Sequence, residues 1–226
     1  MLFLAVTLGF FVENEREHYI ERKRERKYIQ SIIEDLKADT ALSSQYFIDQ
    51  NRSISYYDSV VLLLSQDKRS EWQQQRMYYM IRMAIRLSQF NRANENAYEQ
   101  MKNSGNLRLL HSQKIIDSIS RYYFNLKEIE SITDIMTLRQ QAAADYEAKI
   151  FDGKIFQQMV DSRTFNINPP AGNPALIIKD PLIINEFIVK IHYVKSIMLY
   201  SMNFTRQQKM EAIRLIQFLQ KEYNLE

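Results

Sequence analysis

Histidine is the side chain best suited to acid–base or metal chemistry near neutral pH, and the chain has three: His18, His111 and His192. His18 belongs to Glu15-x-x-His18, half of a bundle-type dimetal motif. Such a site needs two of these pairs and two further glutamates, and no second Glu-x-x-His occurs, so no metal is expected. His111 falls in a loop. His192 falls on an apolar helix near Glu186 and Tyr193, where an isolated histidine reads as a hydrogen-bonded core group. With no cysteine, thiolate metal sites and a thiol nucleophile are excluded, and there is no phosphate loop, dinucleotide fingerprint or nucleophile elbow. No catalytic residue and no cofactor is expected. The net charge of +3, spread over interspersed acids and bases, makes nucleic acid an unfavourable partner.

The elements that would position any site are helical. A chain of 226 residues with 46% hydrophobic residues can bury a real core. It has only four Gly and four Pro, with neither between Gly9 and Gly105, whereas a β-rich domain needs turn residues at short intervals. The expected fold is all-α: an elongated up-and-down bundle of about four long helices, continuing from an N-terminal membrane-anchoring helix.

Residues 1–12, MLFLAVTLGFFV, carry no charge and give way abruptly to ENEREHYIERKRERK. That is a membrane boundary pattern, with Leu2, Phe3, Leu4, Leu8, Phe10 and Phe11 as the anchor. Twelve helical residues cover about 18 Å against roughly 30 Å of hydrocarbon, so this segment is the end of a span or lies at the interface. Residues 13–28 form a charged stalk in which Glu13, Glu17, Glu21 and Glu25 align at four-residue spacing. Residues 29–226 form the bundle.

Ile29, Ile33, Leu36, Thr40, Ser43, Phe47, Gln50, Ile54, Tyr57, Val61 and Leu64 alternate at spacings of three and four, a coiled-coil-type seam on a helix reaching about Ser65. Ser70 and Gln73 make a capping box for a second helix, with Trp72, Tyr79, Met80, Met83 and Leu87 as its apolar stripe. The stretch from Asn91 to Asn96 reads as loop. Gly105 reads as a left-handed cap closing a short helix. Ser112 opens a long helix interrupted at Gly153, and Asp180 with Pro181 opens the last one, where Glu186 and Lys190 form an i, i+4 pair.

Three strings, LFLAVTLGFFVENEREHYIE, YEQMKNSGNLRLLHSQKIIDSISRYY and NPPAGNPALIIKDPLIINEFIVK, together with the ending LIQFLQKEYNLE, resemble a family of uncharacterised single-span membrane proteins of Gram-negative bacteria that carry a helical domain of unknown function. The resemblance implies an architecture and no activity. Members of that family usually have a polar or basic segment and further apolar residues before the part matching Leu2, which implies that Met1 is an internal or truncated start. Six basic residues between Arg16 and Lys27 place the bundle in the cytoplasm by the positive-inside rule. The resemblance implies the opposite side. The expectation is an inner-membrane protein with a periplasmic bundle.

Two loops are candidates for specificity. Leu107, Arg108, Leu109 and Leu110 lie between two helices, where the leucines could simply plug the bundle end. The longer Asp161–Asp180 connection gathers three of the four prolines, and Phe165, Ile167, Pro169, Pro170 and Pro174 form its candidate partner-contact surface. The same prolines could instead stiffen a plain crossover. The expected function is a non-enzymatic, membrane-anchored interaction or sensory module, with lipid at its N-terminus and a protein partner or second copy on the bundle. The alternatives are a small-ligand sensor and an enzyme of unrecognised type.

Overall fold

No proline and only one glycine fall within Leu2–Leu64, and these 63 residues form one unbroken helix, α1. The computed structural model describes residues 2–88 and 93–225, apart from the side chains of Leu2, Leu4 and Ala5, so those two anchor leucines and the start of the expected loop at Asn91 lie outside the described residues. After α1 come α2 (Glu71–Leu87), α3 (Asn96–Asn103), a 3-10 turn (Asn106–Leu109), α4 (Gln113–Ile150), α5 (Gly153–Met159) and α6 (Pro181–Tyr223). Among the described residues there is no strand, only one isolated bridge between Val160 and Ile167.

The helix boundaries have local causes. Ser70 accepts the Gln73 N–H while the Gln73 side chain accepts the Ser70 N–H, a full capping box at the start of α2. Asp180 Oδ1 accepts the Leu182 N–H at 2.8 Å and Pro181 takes the first helical position of α6. Gly105 follows α3 at φ 71°, the left-handed region. The break after Ile150 holds a helix that the sequence reading lacks: Asp152 caps α5 by accepting the Lys154 N–H.

The chain divides into two compact units, to both of which α1, α4 and α6 contribute. Unit 1 comprises the described residues of Met1–Leu42, Arg92–Lys127 and Gln207–Glu226; unit 2 comprises those of Ser43–Asn91 and Glu128–Arg206. Unit 1 buries Ile29, Ile32, Ile33 and Leu36 of α1, Ile115, Ile119 and Leu126 of α4, and Leu215 and Leu219 of α6. Its Tyr98 and Tyr123 rings stack with centroids 4.2 Å apart. Unit 2 is built on a core of Tyr57, Val60, Met77, Tyr78, Ile81, Phe151, Phe187, Ile191, Val194 and their neighbours. Each such large apolar side chain, once buried, contributes about 1.5–3 kcal/mol.

Most of the expected α1 seam is buried: Ile29, Ile33, Leu36, Ser43, Gln50, Tyr57 and Leu64. Its second column is shifted by one residue beyond Ile33, where Asp39, Tyr46, Ser53 and Val60 are buried and Thr40, Phe47, Ile54 and Val61 are half-buried. Polar residues stand in both columns because they reach the end of α2. Ser53 Oγ donates to the Ala84 carbonyl at 2.6 Å and Gln50 Nε2 to that of Leu87 at 3.4 Å, while Gln140 Nε2 donates to Ser88 Oγ at 2.7 Å. The Leu87 carbonyl at the end of α2 is thereby satisfied from α1, and the Ala84 carbonyl, which also accepts the Ser88 N–H at 3.1 Å, gains a second donor. In the apolar stripe of α2, Met80 is buried as expected, and Met77, Tyr78, Ile81 and Ala84 are buried beside it, while Tyr79, Met83 and Leu87 are half-buried and Trp72 is exposed with Arg76 lying over its ring.

Candidate functional site

The first turns of α1 present an apolar surface to solvent. Phe3 is 83% exposed and Phe10 75%, with Leu8, Phe11 and Val12 also exposed. The stretch has one hydroxyl, Thr7, and it donates to the Phe3 carbonyl at 2.8 Å, so no side-chain donor is left unsatisfied in an apolar surrounding. The stalk beyond is solvated. Arg16 pairs with Glu13 at 2.7 Å, and His18 lies 3.6 Å from Glu21, the residue three places after it. No described helix is long and apolar enough to cross a membrane. No group of three potential metal-ligating residues is found among the described residues.

Toward the C-terminal end of the stalk the acidic stripe turns inward. Glu25 is 5% exposed, and its Oε1 accepts the His111 N–H at 3.0 Å, pairs with His111 Nδ1 at 2.7 Å and accepts the Tyr223 hydroxyl at 2.5 Å. Arg26 closes the cluster by donating to the carbonyls of Tyr223 at 2.7 Å and Asn224 at 3.2 Å, near the C-terminal end of α6 where a cation is favoured. Burial first, and then the Glu25 carboxylate, push the Tyr223 phenol well above its ordinary range, so it remains a donor. Three donors converging on one buried carboxylate oxygen make a clasp that joins the loop after α3 and the end of α6 to α1. The sequence reading placed Glu25 in the solvated stripe. The signal that identifies it is register, since Glu25 lies four residues before the seam residue Ile29.

Two more acids on the same helix grip α3. Asp35 Oδ2 accepts the Ala97 N–H at 3.0 Å, Asp35 Oδ1 accepts the Asn94 side-chain amide at 2.8 Å, and both Asp39 oxygens accept the Asn94 N–H. Burial pushes the Asp39 carboxyl up to about 6, against the Asn94 hydrogen bond, with Asp35 and Glu95 adding to the rise. Further along, Asn106 donates to the Tyr28 hydroxyl at 2.9 Å. Leu110 is buried, as a plug would be, while Arg108 points to solvent.

In unit 2 the proline-containing connection is a strap laid along α2. Gln75 donates to the Pro170 carbonyl and Tyr78 to that of Ala175, both at 2.9 Å; Gln74 accepts the Leu176 N–H at 3.2 Å; Arg86 donates to the Phe165 carbonyl at 3.2 Å. Backbone groups that an extended, proline-containing stretch cannot satisfy internally are thus met by side chains of one helix. This divides the candidate contact residues. Phe165, 73% exposed at a left-handed φ of 55°, and Pro169 face solvent. Pro170 is buried and offers no surface to a partner, and Ile167 and Pro174 are half-buried.

The remaining ionisable groups do not form a catalytic constellation. His192 is exposed, edge-to-face with Tyr193 at 5.9 Å, rather than a core histidine. Glu186 interacts with the Tyr146 hydroxyl and Lys190 lies 5.8 Å over that same ring, so the expected pair meets through Tyr146. Glu147 is buried in unit 2; burial pushes its carboxyl up to about 7, and nearby Arg82 offsets part of the rise. Comparison with protein-family profiles, curated proteins and solved structures returns no match to the chain.

Proposed function

We propose that the chain is a membrane-attached, non-enzymatic helical module whose apolar tip at Leu2–Val12 enters the bilayer and whose bundle engages a protein partner or a second copy of the chain. The observation that carries this is the tip itself: three turns of uncharged helix with exposed Phe3, Leu8, Phe10 and Phe11, followed at once by the charged stalk. In this reading the long helices form an up-and-down bundle continuing from the anchor. The anchor is the end of a single span in the inner membrane of a Gram-negative cell, with the bundle on the periplasmic side. An interaction role rather than catalysis is supported by the Glu25 cluster, whose hydrogen-bonding groups are engaged with one another. The exposed, strained Phe165 on an otherwise pinned strap is the side chain best placed for partner contact, because a residue held against its backbone preference is oriented before it binds.

Flotation with neutral phosphatidylcholine vesicles tests the proposal. The full chain is expected to rise with the vesicles, while a variant beginning at Glu13 stays at the bottom of the gradient with its helical circular dichroism intact. If that variant still floats, or loses its fold, the tip is part of the bundle core and the attachment reading is wrong.

A further inference from the structure

Unit 1 opens a groove of about 490 Å³ between the first turns of α4 and the last third of α6. Lys114 and Arg121, seven residues apart on one face of α4, line one wall, and Arg214 lines the other. Each is solvent-exposed, and none forms an ion pair among the described residues. Glu211 contributes one carboxylate to the same lining, so three cations face one anion. Against the apolar wall of Leu215 and Phe218, Lys114 lies 5.0 Å over the Phe218 ring.

The second observation is Tyr122. Its side chain lines this groove, is 5% exposed and makes no hydrogen bond among the described residues. Its oxygen keeps contact with solvent, so the hydroxyl reaches the groove and can donate to a ligand seated there. Burial pushes the phenol well above its ordinary range, so it faces the groove as a donor. Two guanidinium forks, an ammonium and a phenol suit an acceptor with several oxygens and more than one negative charge. A phosphate matches that set better than a planar carboxylate.

We propose that the groove lined by Lys114, Arg121, Tyr122 and Arg214 binds a phosphate group on a molecule whose apolar part rests on Leu215 and Phe218. The carrier is either a soluble phosphate ester or an anionic phospholipid headgroup, two sources of one chemistry. The site is independent of the membrane-attachment reading, because it involves no residue of the tip.

Phenyl phosphate titrated into the full chain, held in a phosphate-free maltoside detergent and followed by phosphorus NMR line broadening and calorimetry, tests the first source. Saturable binding is expected, weakened roughly tenfold by the double variant R121Q/R214Q and several-fold by Tyr122→Phe. Lys149→Gln, in unit 2, is expected to leave it unchanged. Both arginines are exposed, so the double variant decides the matter should Tyr122→Phe not fold. Phosphatidylcholine vesicles with and without phosphatidylglycerol test the second source. If R121Q/R214Q lowers affinity for the anionic vesicles alone, while phenyl phosphate does not bind, the headgroup is the carrier and the phosphate site stands. Unchanged flotation with neutral vesicles separates this site from the anchor. The proposal is overturned if the double variant affects neither phenyl phosphate nor anionic vesicles, or if Lys149→Gln weakens binding as much as the double variant does.

Discussion

The Tyr223 hydroxyl donates to Glu25 Oε1 at 2.5 Å, joining residues 198 positions apart inside unit 1. Tyr223→Phe removes one of several hydrogen bonds to that carboxylate and keeps the ring, so a loss of about 1–2 kcal/mol is expected. Glu25→Leu leaves the His111 N–H and the Tyr223 hydroxyl buried without an acceptor and is expected to cost more, about 2–4 kcal/mol. Urea denaturation of both variants checks the order. Equal and negligible losses would mean that the cluster does not hold unit 1 together.

Glu147 makes unit 2 sensitive to pH. Its carboxyl ionises near 4.5 in the unfolded chain and near 7 in the folded one, so stability present below about 4.5 is lost as pH rises through that interval. Above pH 7 the folded state carries a buried, incompletely compensated charge. Glu147→Gln is therefore expected to stabilise the protein by on the order of 2–3 kcal/mol at pH 8 and to change little at pH 4. Paired thermal melts at those two pH values decide it; a destabilised variant at pH 8 would show that Arg82 outweighs burial.

Gly105 carries a purely conformational requirement. A Cβ built there meets nothing within 4 Å, so the cost of a side chain comes from φ 71° alone. Gly105→Val is expected to destabilise by about 1–2 kcal/mol and Gly105→Asn by clearly less, because asparagine tolerates the left-handed region. Equal effects of the two variants in chemical denaturation would contradict this account.

Tyr78 holds two segments at once, donating to the Ala175 carbonyl and accepting the Asp152 N–H, each at 2.9 Å. Tyr78→Phe should free the strap while leaving the ring in contact with Phe151 and Phe156. The expected readout is faster amide hydrogen exchange at Leu176 and neighbouring residues without unfolding of α2, at a global cost of about 1–3 kcal/mol. If the strap amides already exchange freely in the wild type, α2 does not pin it.

Helix ends were legible in the sequence wherever one local side chain makes them: Ser70 with Gln73, Asp180 with Pro181, and Gly105. One column of the α1 seam, Ile29, Leu36, Ser43, Gln50, Tyr57 and Leu64, was legible in the sequence, and the other was misplaced by one residue beyond Ile33. Hydropathy favours Phe47, Ile54 and Val61, each one residue after a buried position, because nothing local marks Ser53 as the residue that receives a helix end from 31 positions away. Glu25, Asp35 and Asp39 escaped notice for the same reason: each is one more acid on a charged helix until its distant partner is placed. The groove of unit 1 was invisible because Lys114, Arg121 and Arg214 lie on two separate helices and become neighbours only through the fold.

The separation between Glu25 and Tyr223 also sets a timetable for biosynthesis. At roughly 5–20 residues per second, the ribosome needs about 10–40 s after making Glu25 before Tyr223 exists to cover it. For most of that interval the groove's second wall, Arg214 to Phe218, is also unmade. Closure of unit 1 is therefore among the last events of synthesis, completed only by the final turns of α6.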